Sequence, residues 1–150
     1  MQELTVKNAI EIAAPPARVW QVLTDPALTR RYMFGCEPVT DWQVGSALDW
    51  RGTLEGNPMV FVSGVILAIE PAALLRYTTY DPNAAQIDPP DRRVEVTCRL
   101  TSPAPGKTLL EVAQGDFARV TDAQRRYDET VAGWQAVMTQ IKSLAESSQR

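Results

Sequence analysis

The C-terminal part of the chain carries a one-sided helical pattern. Apolar residues recur there at spacings of four, three, four, three and four residues, which places them on one face of an α-helix. That face holds Tyr127, Val131, Trp134, Met138, Ile141 and Ala145. Thr121 or Asp122 is suited to cap the helix, which we predict to run to about residue 147. A helix this long with a single apolar face needs a sheet to lie against.

The preceding residues supply the strands of such a sheet. Residues 4–12 predict a first strand, and apolar and polar residues alternate over 48–55 and again over 94–100. Residues 59–70 are almost wholly apolar, which predicts a strand covered on both faces. Residues 81–91 contain three prolines and few apolar side chains, so we predict a loop at the rim of the domain.

Two short helices are predicted between the first strand and the rest of the sheet. The first begins at the Pro15-Pro16 pair, because proline is tolerated in the first helical turn. The second is capped by Asp25, has Pro26 at its first position and runs to about Tyr32. We therefore predict an α+β fold in which residues 1–150 form one domain and a curved antiparallel sheet wraps the long C-terminal helix around an apolar cavity.

Composition excludes several classes of function. The chain of 150 residues contains no histidine, so a Ser–His–Asp triad and the commonest metal ligand are both missing. We expect no metal and no cofactor. A net charge of -3 argues against binding to nucleic acid, and no apolar run approaches the roughly 18 residues of a membrane span. Because no signal peptide is visible, the expected location is the cytoplasm, with no membrane partner.

The two cysteines are far apart and are predicted to be free thiols. Cys98 alternates with apolar residues, so we expect it on the inner side of its strand and slow to react. Cys36 follows Gly35 at the end of the second short helix, and we expect it to be more accessible. Neither is predicted to be a nucleophile.

Aromatic and polar side chains supply candidates for a cavity lining. The apolar and aromatic candidates are Trp50, Phe61, Tyr77, Tyr80, Tyr127, Trp134 and Met138. The alternative is that these side chains simply fill a core, although a buried phenol needs a hydrogen-bond partner, which a ligand oxygen can provide. If Leu110 faces the helix, Gln114 and Asp116 follow on the same side by the period of two. The alternative for Asp116 is a solvated carboxylate or the cap of the next turn.

Several segments together resemble the START/Bet v I (SRPBCC) superfamily, in particular its branch of activator-of-heat-shock-ATPase (AHSA)-like proteins. They are residues 14–26 (APPARVWQVLTDP), 42–45 (WQVG), 64–71 (GVILAIEP), 74–77 (LLRY), 106–110 (GKTLL) and 133–134 (GW). The resemblance implies a helix-grip fold: a strand, two short helices, six further antiparallel strands, and a long helix across the curved sheet. The chain departs from the family pattern at Tyr32, where tryptophan is frequent, and near Gln114, where a histidine is common.

The resemblance leaves three functions open, since members of this superfamily share a cavity and differ in its lining. The favoured hypothesis is a protein that binds a small apolar or aromatic molecule, as a monomer or homodimer. The first alternative is a stress-response helper whose surface binds a chaperone. The second is a histidine-free cyclase or lyase that uses tyrosine or carboxylate for proton transfer. The net negative charge weakens the first alternative, and the absence of histidine weakens the second.

Overall fold

The structure is a computed structural model that describes residues 3–84 and 93–147. Within these residues the strands are β1 Val6–Ile12, β2 Glu37–Val39, β3 Ala47–Leu54, β4 Asn57–Glu70, β5 Leu74–Thr79, β6 Val94–Thr101 and β7 Thr108–Gly115. The helices are α1 Pro16–Thr24, α2 Pro26–Tyr32 and α3 Ala123–Ser147, with short 3-10 turns at Pro82–Ala84 and Phe117–Arg119. This order confirms the predicted helix-grip α+β fold.

The strands form one antiparallel sheet in the order β1-β7-β6-β5-β4-β3-β2. Strands that follow one another along the chain are neighbours throughout, except that β1 pairs with β7. The first strand therefore lies beside the last, at one edge of the sheet.

The two short helices begin as their sequence predicts. Asp25 lies between them, and its side-chain Oδ1 accepts a hydrogen bond of 2.9 Å from the Ala27 backbone N–H. Tyr32, at the end of α2, is buried and donates its hydroxyl to the Val22 carbonyl over 2.8 Å. The departure at Tyr32 thus serves the structure, because its phenol ties α2 to α1.

The long helix α3 is buried unevenly along its length. Its second half packs closely, with Trp134, Val137, Met138, Ile141, Leu144 and Ala145 all buried. Tyr127 and Val131, in the first half, are only partly buried. Hydrogen bonds hold the second half in place: Ala13 N–H donates to Glu146 Oε2 over 2.8 Å, and Lys142 donates to the Glu11 carbonyl over 3.0 Å. The first half of α3 is therefore less deeply buried than the second.

The prediction that residues 59–70 are covered on both faces is wrong. Val65 is 40% exposed and Leu67 is 37% exposed, whereas Ile66 between them is fully buried. The sheet has α3 on its concave side, and no described helix covers the convex side of β4. In the predicted rim loop, residues 82–84 form a 3-10 turn, and residues 85–91 lie outside the described residues.

None of the helices in the described part of the chain has the length and apolar character needed to cross a bilayer.

Candidate functional site: a cavity beneath the first half of the long helix

A cavity of about 500 Å³ lies between the first half of α3 and the concave face of the sheet. Strands β3 to β7 form its floor, and the segment after α2 closes one side. Three exposed lining residues, Phe34, Asp81 and Glu129, mark its mouth. Phe34 is 82% exposed and has a φ of 55°, a left-handed backbone conformation that is uncommon for a residue other than glycine. The mouth thus presents an aromatic ring to solvent.

Six of the predicted lining residues contribute to this cavity: Trp50, Phe61, Tyr77, Tyr80, Gln114 and Trp134. Strand alternation explains Trp50, Tyr77 and Gln114, which share the concave face. Phe61 is the unpaired residue of a β-bulge on β4, Tyr80 follows the end of β5, and Trp134 lies on α3. The rings of Trp50 and Tyr77 lie 6.2 Å apart between centroids, with their planes tilted by 44°. Such aromatic contacts fix the positions of both rings.

Three of the predicted lining residues lie elsewhere. Met138 is buried in the core, because it sits on the half of α3 that packs tightly. Tyr127 is partly buried against the core and does not line the cavity. Asp116 follows the last residue of β7, so strand alternation no longer determines the direction of its side chain. Its Oδ1 accepts hydrogen bonds of 2.8 Å from the backbone N–H groups of Leu4 and Ala118. Asp116 therefore does not face the cavity, and its carboxylate caps the following turn, which is the alternative stated for it above.

Other lining residues were not predicted. Val94 and Val96 belong to an alternating strand, and their inward orientation was visible in the sequence. Arg126, Glu129 and Thr130 lie in the first half of α3, where the sequence gives no sign that the helix stands off the sheet.

Cys36 is more exposed than Cys98, as predicted, at 6% against 3%, yet it lines the cavity and is largely buried. The reason is that the chain turns inward after Gly35 and places the thiol close to the ring of Phe61. Cys98 is buried, as predicted. Burial raises the pKa of Cys36 and raises the pKa of Cys98 to about 12. Both groups are therefore neutral thiols near pH 7, and neither has the thiolate character of a nucleophile.

One hydrogen bond organises the polar part of the lining. The indole Nε1–H of Trp134 donates to Oε1 of Gln114 over 2.7 Å. An indole nitrogen can only donate, so this bond fixes the Gln114 amide with its oxygen toward Trp134 and its NH2 group turned away. The bond also joins α3 to β7 directly above the cavity floor.

The Tyr77 phenol is neutral as well. Burial raises its pKa well above the usual value, and the neighbouring Cys98 and Tyr32 groups raise it further. Among the described residues no cluster of three histidine, cysteine, aspartate or glutamate side chains is arranged to hold a metal ion. The floor of the cavity therefore offers apolar contacts and neutral hydrogen-bonding groups, whereas the charged lining residues Asp81, Arg126 and Glu129 lie after β5 and on α3.

A curved sheet that grips a long helix above a cavity of this kind defines a helix-grip protein. The family model described as activator of Hsp90 ATPase homolog 1-like protein matches residues 13–146. The chain belongs to this family, as its resemblance predicted.

Solved structures of similar shape support the same fold. A protein from Cytophaga hutchinsonii is 26% identical, with a TM-score of 0.77 and coverage of 97% of each chain. CalU16 from Micromonospora echinospora is 23% identical, with a TM-score of 0.68 over 95% of this chain and 76% of that one. The Aha1 dimer of Colwellia psychrerythraea is 14% identical, with a TM-score of 0.71 over 97% of this chain and 98% of that one. No curated protein matches the sequence.

Proposed function

We propose that this protein binds a small, mainly apolar molecule in the cavity beneath the first half of α3. The observation that carries the proposal is the cavity of about 500 Å³ itself. Ligand pockets typically occupy about 300–1,000 Å³ and combine apolar walls with a few placed polar groups. Here Trp50, Phe61 and Val96 supply apolar wall, and Tyr77 and Gln114 supply polar groups. The proposal includes one domain over residues 1–150, located in the cytoplasm.

Uneven burial of α3 supports this proposal. A helix that served only to complete the core would bury its apolar stripe along its whole length. Instead, the stripe is buried from Trp134 onward and only partly buried at Tyr127 and Val131. The Trp134–Gln114 hydrogen bond lies where the two halves meet. It fixes the height of the helix above the sheet and keeps the space open.

A thermal-shift screen against fatty acids, flavonoids and aromatic polyketides tests the proposal. A ligand that binds only the folded state raises the free energy of unfolding, by about 2.7 kcal/mol at a free concentration of 100 times its Kd. The melting temperature rises with it. We expect at least one of these classes to raise the Tm in proportion to the logarithm of its concentration. Occupation of the cavity should also slow alkylation of Cys36, which lines it.

A cavity-filling variant shows whether such a ligand binds here. Val96 is buried on the floor between Tyr77 and Gln114, so Val96→Phe places an aromatic ring in the space that the ligand needs. We expect this variant to fold and to lose the ligand-induced Tm shift. Val65→Phe on the convex face is the matched control, because Val65 is partly exposed and does not line the cavity. Equal shifts in wild type and Val96→Phe would place the ligand elsewhere.

A second candidate function is the regulation of a chaperone ATPase, as the description of the matched family suggests. The observation that favours it is the group of exposed apolar side chains on the convex side of the sheet. Val65 and Leu67 are exposed on β4, and the exposed Val44 lies nearby, because Gly45 N–H donates to the Ile66 carbonyl over 2.9 Å. Exposed apolar groups that lie together are typical of contact surfaces between proteins.

The two candidates are separated by an ATPase assay with a purified chaperone of the Hsp90 type. If the convex face binds the chaperone, wild type should stimulate the ATPase, and the double variant Val65→Lys, Leu67→Lys should lose most of that stimulation. Val96→Phe changes only the cavity and should stimulate as wild type does. An absence of stimulation by wild type would leave ligand binding as the supported function.

A further inference from the structure

The polar groups of the cavity form a row across its floor. Tyr77 on β5 pairs with Val96 on β6, and Val96 pairs with Gln114 on β7. All three line the cavity. Neighbouring strands are about 4.8 Å apart, so the backbones of Tyr77 and Gln114 are separated by about 10 Å. A tyrosine and a glutamine of this separation can both reach a group that rests on Val96.

The Tyr77 hydroxyl makes no hydrogen bond to any residue in the ranges 3–84 and 93–147, although the residue is only 5% exposed. Among the side-chain nitrogen and oxygen atoms of these ranges that solvent cannot reach, only Arg18 Nε lacks a hydrogen-bond partner. The unpaired Tyr77 oxygen is not one of these inaccessible atoms. The phenolic oxygen is therefore reachable from open space, and the space that Tyr77 lines is the cavity. A phenol that no protein group pairs leaves a hydrogen-bonding position that a ligand oxygen can take.

Gln114 supplies a second hydrogen-bond donor, from the β7 side of Val96. Its oxygen accepts from Trp134, so its NH2 group is the part left for a ligand, and an amide NH2 can only donate. The Tyr77 phenol stays protonated, because burial raises its pKa. The floor of the cavity thus offers two neutral donors on either side of an apolar side chain.

We infer that the cavity ligand is an uncharged, largely apolar molecule with a hydrogen-bond-accepting oxygen, held over Val96 by the Tyr77 hydroxyl and the Gln114 amide. This inference rests on the proposed ligand-binding function. A ketone, quinone or ester carbonyl satisfies both donors, whereas a hydrocarbon leaves them unpaired. A carboxylate over Val96 would exchange its water for two neutral donors, because the cationic lining residue Arg126 lies on α3 and not on the floor. An ionised group is costly to bury without an adjacent opposite charge.

Three naphthalene probes of similar size test the inference. 2-Acetylnaphthalene carries the carbonyl, 2-ethylnaphthalene replaces it with CH2, and 2-naphthoate replaces it with a carboxylate. Their Kd values are measured by tryptophan fluorescence on wild type and on Tyr77→Phe, which removes the hydroxyl and keeps the ring. We expect Tyr77→Phe to raise the Kd of the ketone by about 3- to 10-fold and that of the hydrocarbon by less than about twofold. 2-Naphthoate should bind wild type at least about tenfold more weakly than the ketone.

Two further variants and one spectrum sharpen the test. Tyr127→Phe makes the same chemical change outside the cavity and should alter neither Kd. Gln114→Glu retains an oxygen for Trp134 and loses the donor, so it should weaken the ketone more than the hydrocarbon. The infrared carbonyl stretch of bound 2-acetylnaphthalene should lie at lower frequency in wild type than in Tyr77→Phe, which a purely structural role for Tyr77 would not produce.

The outcomes separate this inference from the proposed function. Equal effects of Tyr77→Phe on ketone and hydrocarbon, or binding of 2-naphthoate as tight as that of the ketone, would overturn the inferred ligand class and leave ligand binding intact. Failure of wild type to bind either neutral probe at its solubility limit would count against the proposed function and the inference together.

Discussion

Removal of the chain from Asp122 onward is expected to abolish folding altogether. The deleted segment contains α3, whose second half buries Trp134, Val137, Met138, Ile141, Leu144 and Ala145. Each large side chain that is fully buried contributes about 1.5–3 kcal/mol. The loss therefore matches or exceeds the free energy of unfolding of a typical domain, about 5–15 kcal/mol. Circular dichroism of the truncated protein should show no cooperative thermal transition.

A point variant of the intact chain makes the same test without deletion. Ile141 is fully buried, so Ile141→Asp forces a carboxylate into the core with no partner, and we expect it to remove the cooperative transition as well. Gln140→Asp changes the adjacent exposed position and should shift the Tm by only a few degrees. Cooperative melting of the truncated chain would show that the sheet folds independently of α3.

Gly64→Ala is expected to cause the largest loss of stability among single-methyl changes on the sheet. Gly64 lies on β4, and a Cβ built there would be 1.7 Å from the Thr78 carbonyl oxygen on β5. The Cβ is fixed directly to the backbone of β4, and the oxygen belongs to the backbone of β5, so neither can rotate away and the two strands must move apart. That movement also breaks the hydrogen bond of 2.9 Å from Val65 N–H to the Thr78 hydroxyl. Urea denaturation should give a loss of at least about 3 kcal/mol in the free energy of unfolding.

The same substitution at Gly133 is the matched control. Gly133 lies inside α3, and a Cβ there meets nothing within 4 Å. Alanine is favoured over glycine in a helix by about 0.5–1 kcal/mol, so Gly133→Ala should raise the stability. If the free energy of unfolding falls in Gly64→Ala and rises in Gly133→Ala, the loss at Gly64 comes from the close approach of β4 and β5. A Gly64→Ala protein as stable as wild type would contradict that approach.

Part of the candidate site depended on patterns that are visible in the sequence. Trp50, Tyr77 and Gln114 face the cavity because strand residues alternate between two faces. Once one apolar residue of a strand is known to face the core, the faces of the other residues on that strand follow. The rule failed at Asp116, one residue beyond the last residue of β7. Met138 and Tyr127 were misplaced for another reason: helical periodicity gives the face of α3 but not its distance from the sheet.

The sequence alone determined the elements and their order, because caps, prolines and periodicity act within a few residues. Asp25 and Pro26 start α2 by local hydrogen bonding and backbone preference, and the stripe on α3 follows from the helical repeat. The tertiary structure alone decided where the cavity lies, that Cys36 faces it, and that Val65 and Leu67 stay exposed. Those outcomes depend on which surfaces meet across long separations along the chain, and a local pattern holds no information about what covers it.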